Sequence, residues 1–183
     1  MWGNPVKYAK RFKQKYGTLN TWLLCVLVLT ITLRLIVVRA VIEGESMANT
    51  YHEGDYVWVV KNLGVGYSRD DIIVFDNPYG FEQDAWYNLG DFTHFKQPIR
   101  YIKRVVAVEG DSVKIDGDFV EVNGQVINEA GNGIITPDQA VKKEFVVGPN
   151  QYLVLGDNRK GSMDSRHFGL IDLSMISGRI IGR

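Results

Sequence analysis

Residues 114–128, KIDGDFVEVNGQVIN, carry the clearest local signal in the chain. Apolar and polar side chains alternate over three short runs, and Asp116-Gly117 and Asn123-Gly124 punctuate them. Asp-Gly and Asn-Gly supply the positive φ angles of tight hairpin turns, so residues 112–128 are expected to form a three-stranded meander. Outward from it, Tyr56 to Val60, Ile72 to Phe75, Arg100 to Val108 and Tyr152 to Leu155 are short β-branched runs that also read as strands. No strand-helix alternation accompanies them, so the body is expected to be mostly β. Two stretches interrupt the pattern. Residues 76–98 form an aromatic-rich insertion, and residues 129–150 a second loop-rich segment.

The amino-terminal part follows another rule. Eighteen uncharged residues, YGTLNTWLLCVLVLTITL, lie between Lys15 and Arg34. Extended to 18–38, the stretch would span about 31 Å as a helix, close to the ~30 Å of a bilayer core. Lys7, Lys10, Arg11, Lys13 and Lys15 precede it, which places the amino terminus in the cytoplasm. The expected organisation is a cytoplasmic basic tail at 1–17, one N-terminal transmembrane helix at 18–38 in the plasma membrane, and an extracytoplasmic β-rich domain at 39–183. Two other readings stay open. A cleaved signal peptide would end near Val38-Arg39-Ala40, although such apolar regions usually run about 7 to 15 residues. A buried helix of a soluble protein would have to hide an apolar surface on every side.

Charge narrows the function. Residues 1–42 carry seven basic side chains and no acid, whereas all 21 acidic side chains lie in residues 43–183. The folded body is therefore net acidic, which argues against nucleic acid as a partner. Membrane lipid is the partner implied by the span. Cys25 is the single cysteine, so neither an intrachain disulfide nor a cysteine-based zinc cluster is available. His52, His94 and His167 stand at no metal-ligand spacing, and they read as ordinary loop or surface side chains. No metal and no cofactor are expected. A serine nucleophile here would need a base other than histidine, and neutral lysine is the known substitute.

Three segments bear on that possibility: Gly44 to Thr50, Tyr101 to Val106, and Gly156 to Arg166. Singly, each has a structural reading, as a turn serine, a solvated strand lysine and a polar loop with Asp-Arg pairing. Taken together and in this order, they resemble a bacterial type I signal peptidase of the short, Gram-positive-like form. Ser46-Met47 matches the nucleophile box of that family, Asp71 to Phe75 its following strand, Tyr101 to Asp111 its lysine box, and Gly156 to Arg166 its Gly-Asp-Asn-Arg box.

The resemblance implies a signal-peptidase-like β-sheet or barrel body carrying a Ser-Lys dyad, with Ser46 as nucleophile and Lys103 as general base. Ser162 matches the serine that orients the lysine by a hydrogen bond. Asp164 and Arg166 match a pair that braces the site, and Arg104 and Asp157 look structural. The backbone N–H of Ser46 is the expected oxyanion donor. Gly44 stands where some relatives place a second, hydroxyl donor and others have glycine. The implied partners are the signal peptides of exported preproteins, selected by small side chains before the cut. The family usually has proline where this chain has Asn49 and Glu109, which leads us to expect a less rigid loop after the nucleophile. Two other classes were weighed. A non-proteolytic assembly or chaperone relative would be expected to lose the serine or the lysine. A self-cleaving repressor-like protein would need a DNA-binding helix-turn-helix where the apolar span lies.

Overall fold

The computed structural model describes residues 5–80, 82–85, 95–128 and 143–182, and within them the side chains outside 5–19, 82–85, 95–98 and 128. The chain divides into two compact units, Met1–Val38 and Arg39–Arg183.

The first unit is a single long helix, α1 (Pro5–Ile36). Proline suits a first helical turn, whose N–H groups have no intrahelical partner. The helix starts well before the expected residue 18 and stops before Val38, because β-branched Val37-Val38 already belong to strand β1 (Val37–Val41). Large apolar side chains from Trp22 to Leu35 are exposed along it. Among the described residues, no helix is long and apolar enough to cross a membrane.

The second unit is built on antiparallel sheets. Its larger sheet has seven strands in the order β1, β2 (Tyr56–Lys61), β13 (Ile176–Ile181), β3 (Ile72–Asp76), β6 (Arg100–Ala107), β11 (Gln151–Leu155) and β12 (Ile171–Asp172). A second, four-stranded sheet runs β10 (Lys143–Val146), β7 (Ser112–Asp116), β8 (Phe119–Val122), β9 (Gln125–Asn128). β4 (Glu82–Ala85) and β5 (Phe95–Pro98) form a separate two-stranded ribbon.

Central strands β6 and β11 serve two cores. Val105 and Val154 pack with Ile73, Phe75, Tyr152, Ile171 and Ile176. Val106, Leu153 and Leu155 pack with Val113, Ile115, Val120 and Val122 of the smaller sheet. That division follows from the pleat, which sends successive side chains to opposite faces. The larger sheet is thus glued to the meander through the strand that carries Lys103.

The expected strands are present and the meander has three strands, but its first turn is displaced by one residue. Asp116 pairs with Phe119, so the loop residues are Gly117-Asp118, with φ +61° at Gly117 only. Positive φ at the first loop position alone is the pattern of a type II′ hairpin, which asks for glycine there and leaves the second place free. Asp118 is turned inward and is 3% exposed. The second turn is Asn123-Gly124 as expected, with positive φ at both residues. Two expected loops are corrected. Residues 143–146 within 129–150 form β10, which pairs with β7. Residues 82–85 and 95–98 within the insertion pair as a hairpin. The rest of the insertion and residues 129–142 lie outside the described residues.

Candidate active site

Ser46 sits in a tight turn after β1. Ala48 N donates to Glu45 O at 3.1 Å, and Thr50 N and Tyr51 N both donate to Met47 O at 2.7 Å. The base of the turn is pinned by Ile42, which exchanges backbone bonds with Asp55 and Gly54 at the entry to β2. Met47, 1% exposed, plugs the turn into the body, and its sulfur accepts from Asp157 N. Burying a methionine of this size supplies roughly 1.5–3 kcal/mol, enough to hold a short turn in place.

Lys103 projects from β6, where it pairs with Ile73 of β3. Alternation along β6 places Tyr101, Lys103 and Val105 on one face, against an apolar cluster. The residue is 3% exposed. Its Nζ donates to Ser46 Oγ at 2.9 Å and to Ile102 O at 2.9 Å, and lies 5.3 Å from the Tyr101 ring centroid. Among the described residues Lys103 forms no ion pair. Burial lowers its pKa from 10.5 to about 8, while the negative charge of Asp164 pulls the other way. The arrangement therefore brings a hydroxyl to a buried amine that gives up its proton in the weakly alkaline range. A neutral amine at this distance can accept the hydroxyl proton directly.

A strap formed by residues 156–166 is bonded to the Ser46 turn and to Arg104. Asn158 N donates to Ser46 O at 3.0 Å and Asn158 Nδ2 to Glu45 O at 3.0 Å. Gly156 must be glycine, because a Cβ there would lie 2.6 Å from Ser46 O and 2.1 Å from Ser162 Oγ. Arg104 grips Asp157 through Nε–Oδ1 at 2.9 Å and Nη2–Oδ2 at 2.6 Å. Thr50 also donates to Asp157. Burial alone would raise the Asp157 pKa, but the bonds from Arg104 and Thr50 outweigh it and the pKa falls. The strap is anchored at its far end by Asp164 and Arg166, whose side chains are fully buried and paired at 2.8 Å. Asp164 also caps the short helix α2 (Ser165–Phe168).

One expectation is corrected. Ser162 does not orient the lysine: its hydroxyl is fully buried, packs against Gly156 and has no hydrogen-bond partner among the described residues. Hydrogen bonds stand at both positions where the family usually has proline. Asn49 Nδ2 donates to Asp157 O at 2.9 Å, so a side-chain bond ties down what a ring would have stiffened. At the Glu109 turn, Asp111 N donates to Val108 O at 3.0 Å, and Asp111 Oδ2 accepts from Val108 N at 2.8 Å. Gly44 has φ +81°, and the space where its Cβ would lie is open. Among the described residues no group of three or more His, Cys, Asp or Glu side chains could hold a metal ion. Asp118, which pairs with Arg166 at 3.1 Å, was not anticipated, and its place in a hairpin turn gave no local sign of that partner.

The family model described as "Signal peptidase, peptidase S26" matches residues 16–183. The chain belongs to that family of peptidases. It is 33% identical to a signal peptidase I of Bacillus caldolyticus over 92% of this chain and 90% of that one. It is 31% identical to a signal peptidase IB of Staphylococcus aureus over 84% and 80%. A crystal structure of a signal peptidase I from Enterococcus faecalis V583 aligns with a TM-score of 0.39 and 23% identity, covering 64% of this chain and 98% of that one.

Proposed function

We propose that this chain is a serine endopeptidase that removes signal peptides from exported proteins, with Ser46 as nucleophile and Lys103 as general base. The observation that carries the roles is the 2.9 Å contact between Ser46 Oγ and the Nζ of a buried Lys103 that forms no ion pair among the described residues. Neutral Lys103 takes the proton as Ser46 Oγ attacks the scissile carbonyl. The resulting ammonium then protonates the leaving amine, and the bond to the new amino terminus breaks. Water hydrolyses the acyl-enzyme with Lys103 again acting as base. The backbone N–H of Ser46 donates to the oxyanion, and Gly44, as glycine, adds no hydroxyl donor. Arg104 and Asp157 hold the nucleophile turn, and Asp164 and Arg166 hold the strap.

The same reading assigns residues 18–38 as a membrane anchor preceded by a cytoplasmic basic tail, with residues 39–183 outside. The uncharged run between Lys15 and Arg34 and the exposed apolar side chains from Trp22 to Leu35 support it. Ser46 follows Val38 by eight residues, at most ~28 Å of extended chain, which keeps it near the outer face where substrates are held by their own apolar segments.

The test is to incubate the full chain in detergent with a preprotein and sequence the new amino terminus. Cleavage at the signal-peptide junction is expected, and Ser46→Ala should reduce kcat by about 10³-fold or more with an unchanged urea midpoint. Wild-type turnover by folded Ser46→Ala would sink the assignment.

A further inference from the structure

Asp118 belongs to the four-stranded sheet, which supplies neither Ser46 nor Lys103 nor any residue of the strap. Yet its carboxylate is buried and accepts from Arg166 Nη1 at 3.1 Å, with the two side chains 2% and 0% exposed. The remaining edges of that guanidinium face the strap. Nε and Nη2 fork onto Asp164 at 2.8 and 2.9 Å, and Nη2 also donates to Arg159 O at 2.8 Å and Ser162 O at 3.3 Å. Asp164 in turn accepts from Gly156 N at 3.0 Å. Gly156 is the residue packed against Ser46 O. A line of hydrogen bonds thus runs from the β7–β8 turn through Arg166 and Asp164 to Gly156 N, and two residues further along the same strap Asn158 N donates to the carbonyl of Ser46 at 3.0 Å. Arg159 adds a second strut between strap and meander by donating Nη1 to Ile127 O at 2.7 Å.

We propose that Asp118 is a positioning residue for the peptidase reaction, holding the Arg166 guanidinium so that the 156–166 strap keeps Ser46 aligned with Lys103. This rests on the Ser46–Lys103 reading above. A planar guanidinium bonded to one carboxylate can still pivot about that pair. A second carboxylate on another edge removes the freedom. The type II′ turn is what makes the second contact possible, since Gly117 takes the positive φ and leaves Asp118 free to point inward. Small misplacements at a reacting pair are costly to rate, because catalysis depends on near-attack geometry.

The experiment measures kcat and KM with a preprotein substrate on the full chain in detergent, per folded molecule as counted by near-UV circular dichroism. Asp118→Asn is expected to lower kcat about tenfold or more, with KM within about threefold. Val120→Ala, which opens an apolar cavity in the same sheet, is expected to lower the urea midpoint while leaving kcat within about twofold. In an Arg166→Gln background, which removes the other charge of the pair, adding Asp118→Asn should change kcat by less than about twofold. That double variant decides the matter even if Asp118→Asn alone does not fold. Wild-type kcat in Asp118→Asn, an equal kcat loss in Val120→Ala, or a further tenfold drop in the double variant would each overturn the proposal. Failure of the underlying reading would look different: wild-type cleavage would then be indifferent to Ser46→Ala, whatever Asp118 does.

Discussion

Lys103 and Arg166 are both buried cations of the catalytic unit, and they are held in opposite ways. Arg166 is surrounded by Asp164, Asp118 and two backbone carbonyls, so its charge is met on every edge. Lys103 is offered a hydroxyl, a single carbonyl and apolar neighbours. Pairing on every edge makes the first a strut. Burial lowers the pKa of the second to about 8, against the opposing pull of Asp164, and makes it a candidate base. One sheet and its loops thus produce a fixed charge and a removable one by choosing the partners.

The strongest way to break this contrast is to place a permanent cation where the removable one sits. Lys103→Arg keeps charge and approximate length but cannot deprotonate, so we expect kcat to fall by about 10³-fold, close to Lys103→Ala. Initial rates from pH 6 to 10 check it. Wild-type activity should rise through about pH 8, and an active arginine variant would remove Lys103 from the reaction.

A stability measurement sharpens the comparison next. The folded pKa of Lys103 lies below its unfolded value, so at pH 7 the protonated residue costs the fold about 3 kcal/mol. Between about pH 8 and 10.5 the unfolded chain binds more protons at this position than the folded one, and the cost fades as pH rises. Lys103→Met is therefore expected to be more stable than wild type at pH 7, with the difference shrinking across that window. Urea titrations at pH 7, 8.5 and 10 give the sign, and a pH-independent difference would show that Lys103 is not buried as an amine.

The smallest expected effect concerns the loop that presents the hydroxyl. Asn49→Ala removes one side-chain to backbone bond, which contributes about 0.5–1.5 kcal/mol. We expect a two- to fivefold loss of kcat. Asn49→Pro should recover part of it if restraint of the loop is what matters, and rate measurements on the two variants side by side decide.

Much of this was legible from the sequence because the signals were local. Asn123-Gly124 announces its own turn, and the alternation around it fixes which side chains point inward. Ser46, Lys103 and the 156–166 segment carry recognisable neighbours. What escaped was set by contacts across long separations. β10 reads as loop because KEFV has little pattern until it is paired with Val113 and Ile115. β13 is interrupted by Gly178, whose lack of a side chain makes sense only beside Val60 O, which a Cβ would approach to 2.3 Å. The one-residue shift at Gly117-Asp118 is invisible to composition, since Asp-Gly and Gly-Asp both suit tight turns, yet it decides whether Asp118 meets Arg166. The expected Ser162 bond to the lysine is also missing, its hydroxyl being buried against Gly156 without a hydrogen-bond partner among the described residues.

The sulfur of Met47 has a consequence for how the molecule meets oxidants. It is buried under the Ser46 turn and bonded to Asp157 N, whereas Met163 is 45% exposed. Peroxide reaches the second sulfur freely but the first only when the Ser46 turn lifts away. Sulfoxide formation at Met47, timed against Met163 in the same sample, is therefore a built-in clock for how often the Ser46 turn opens.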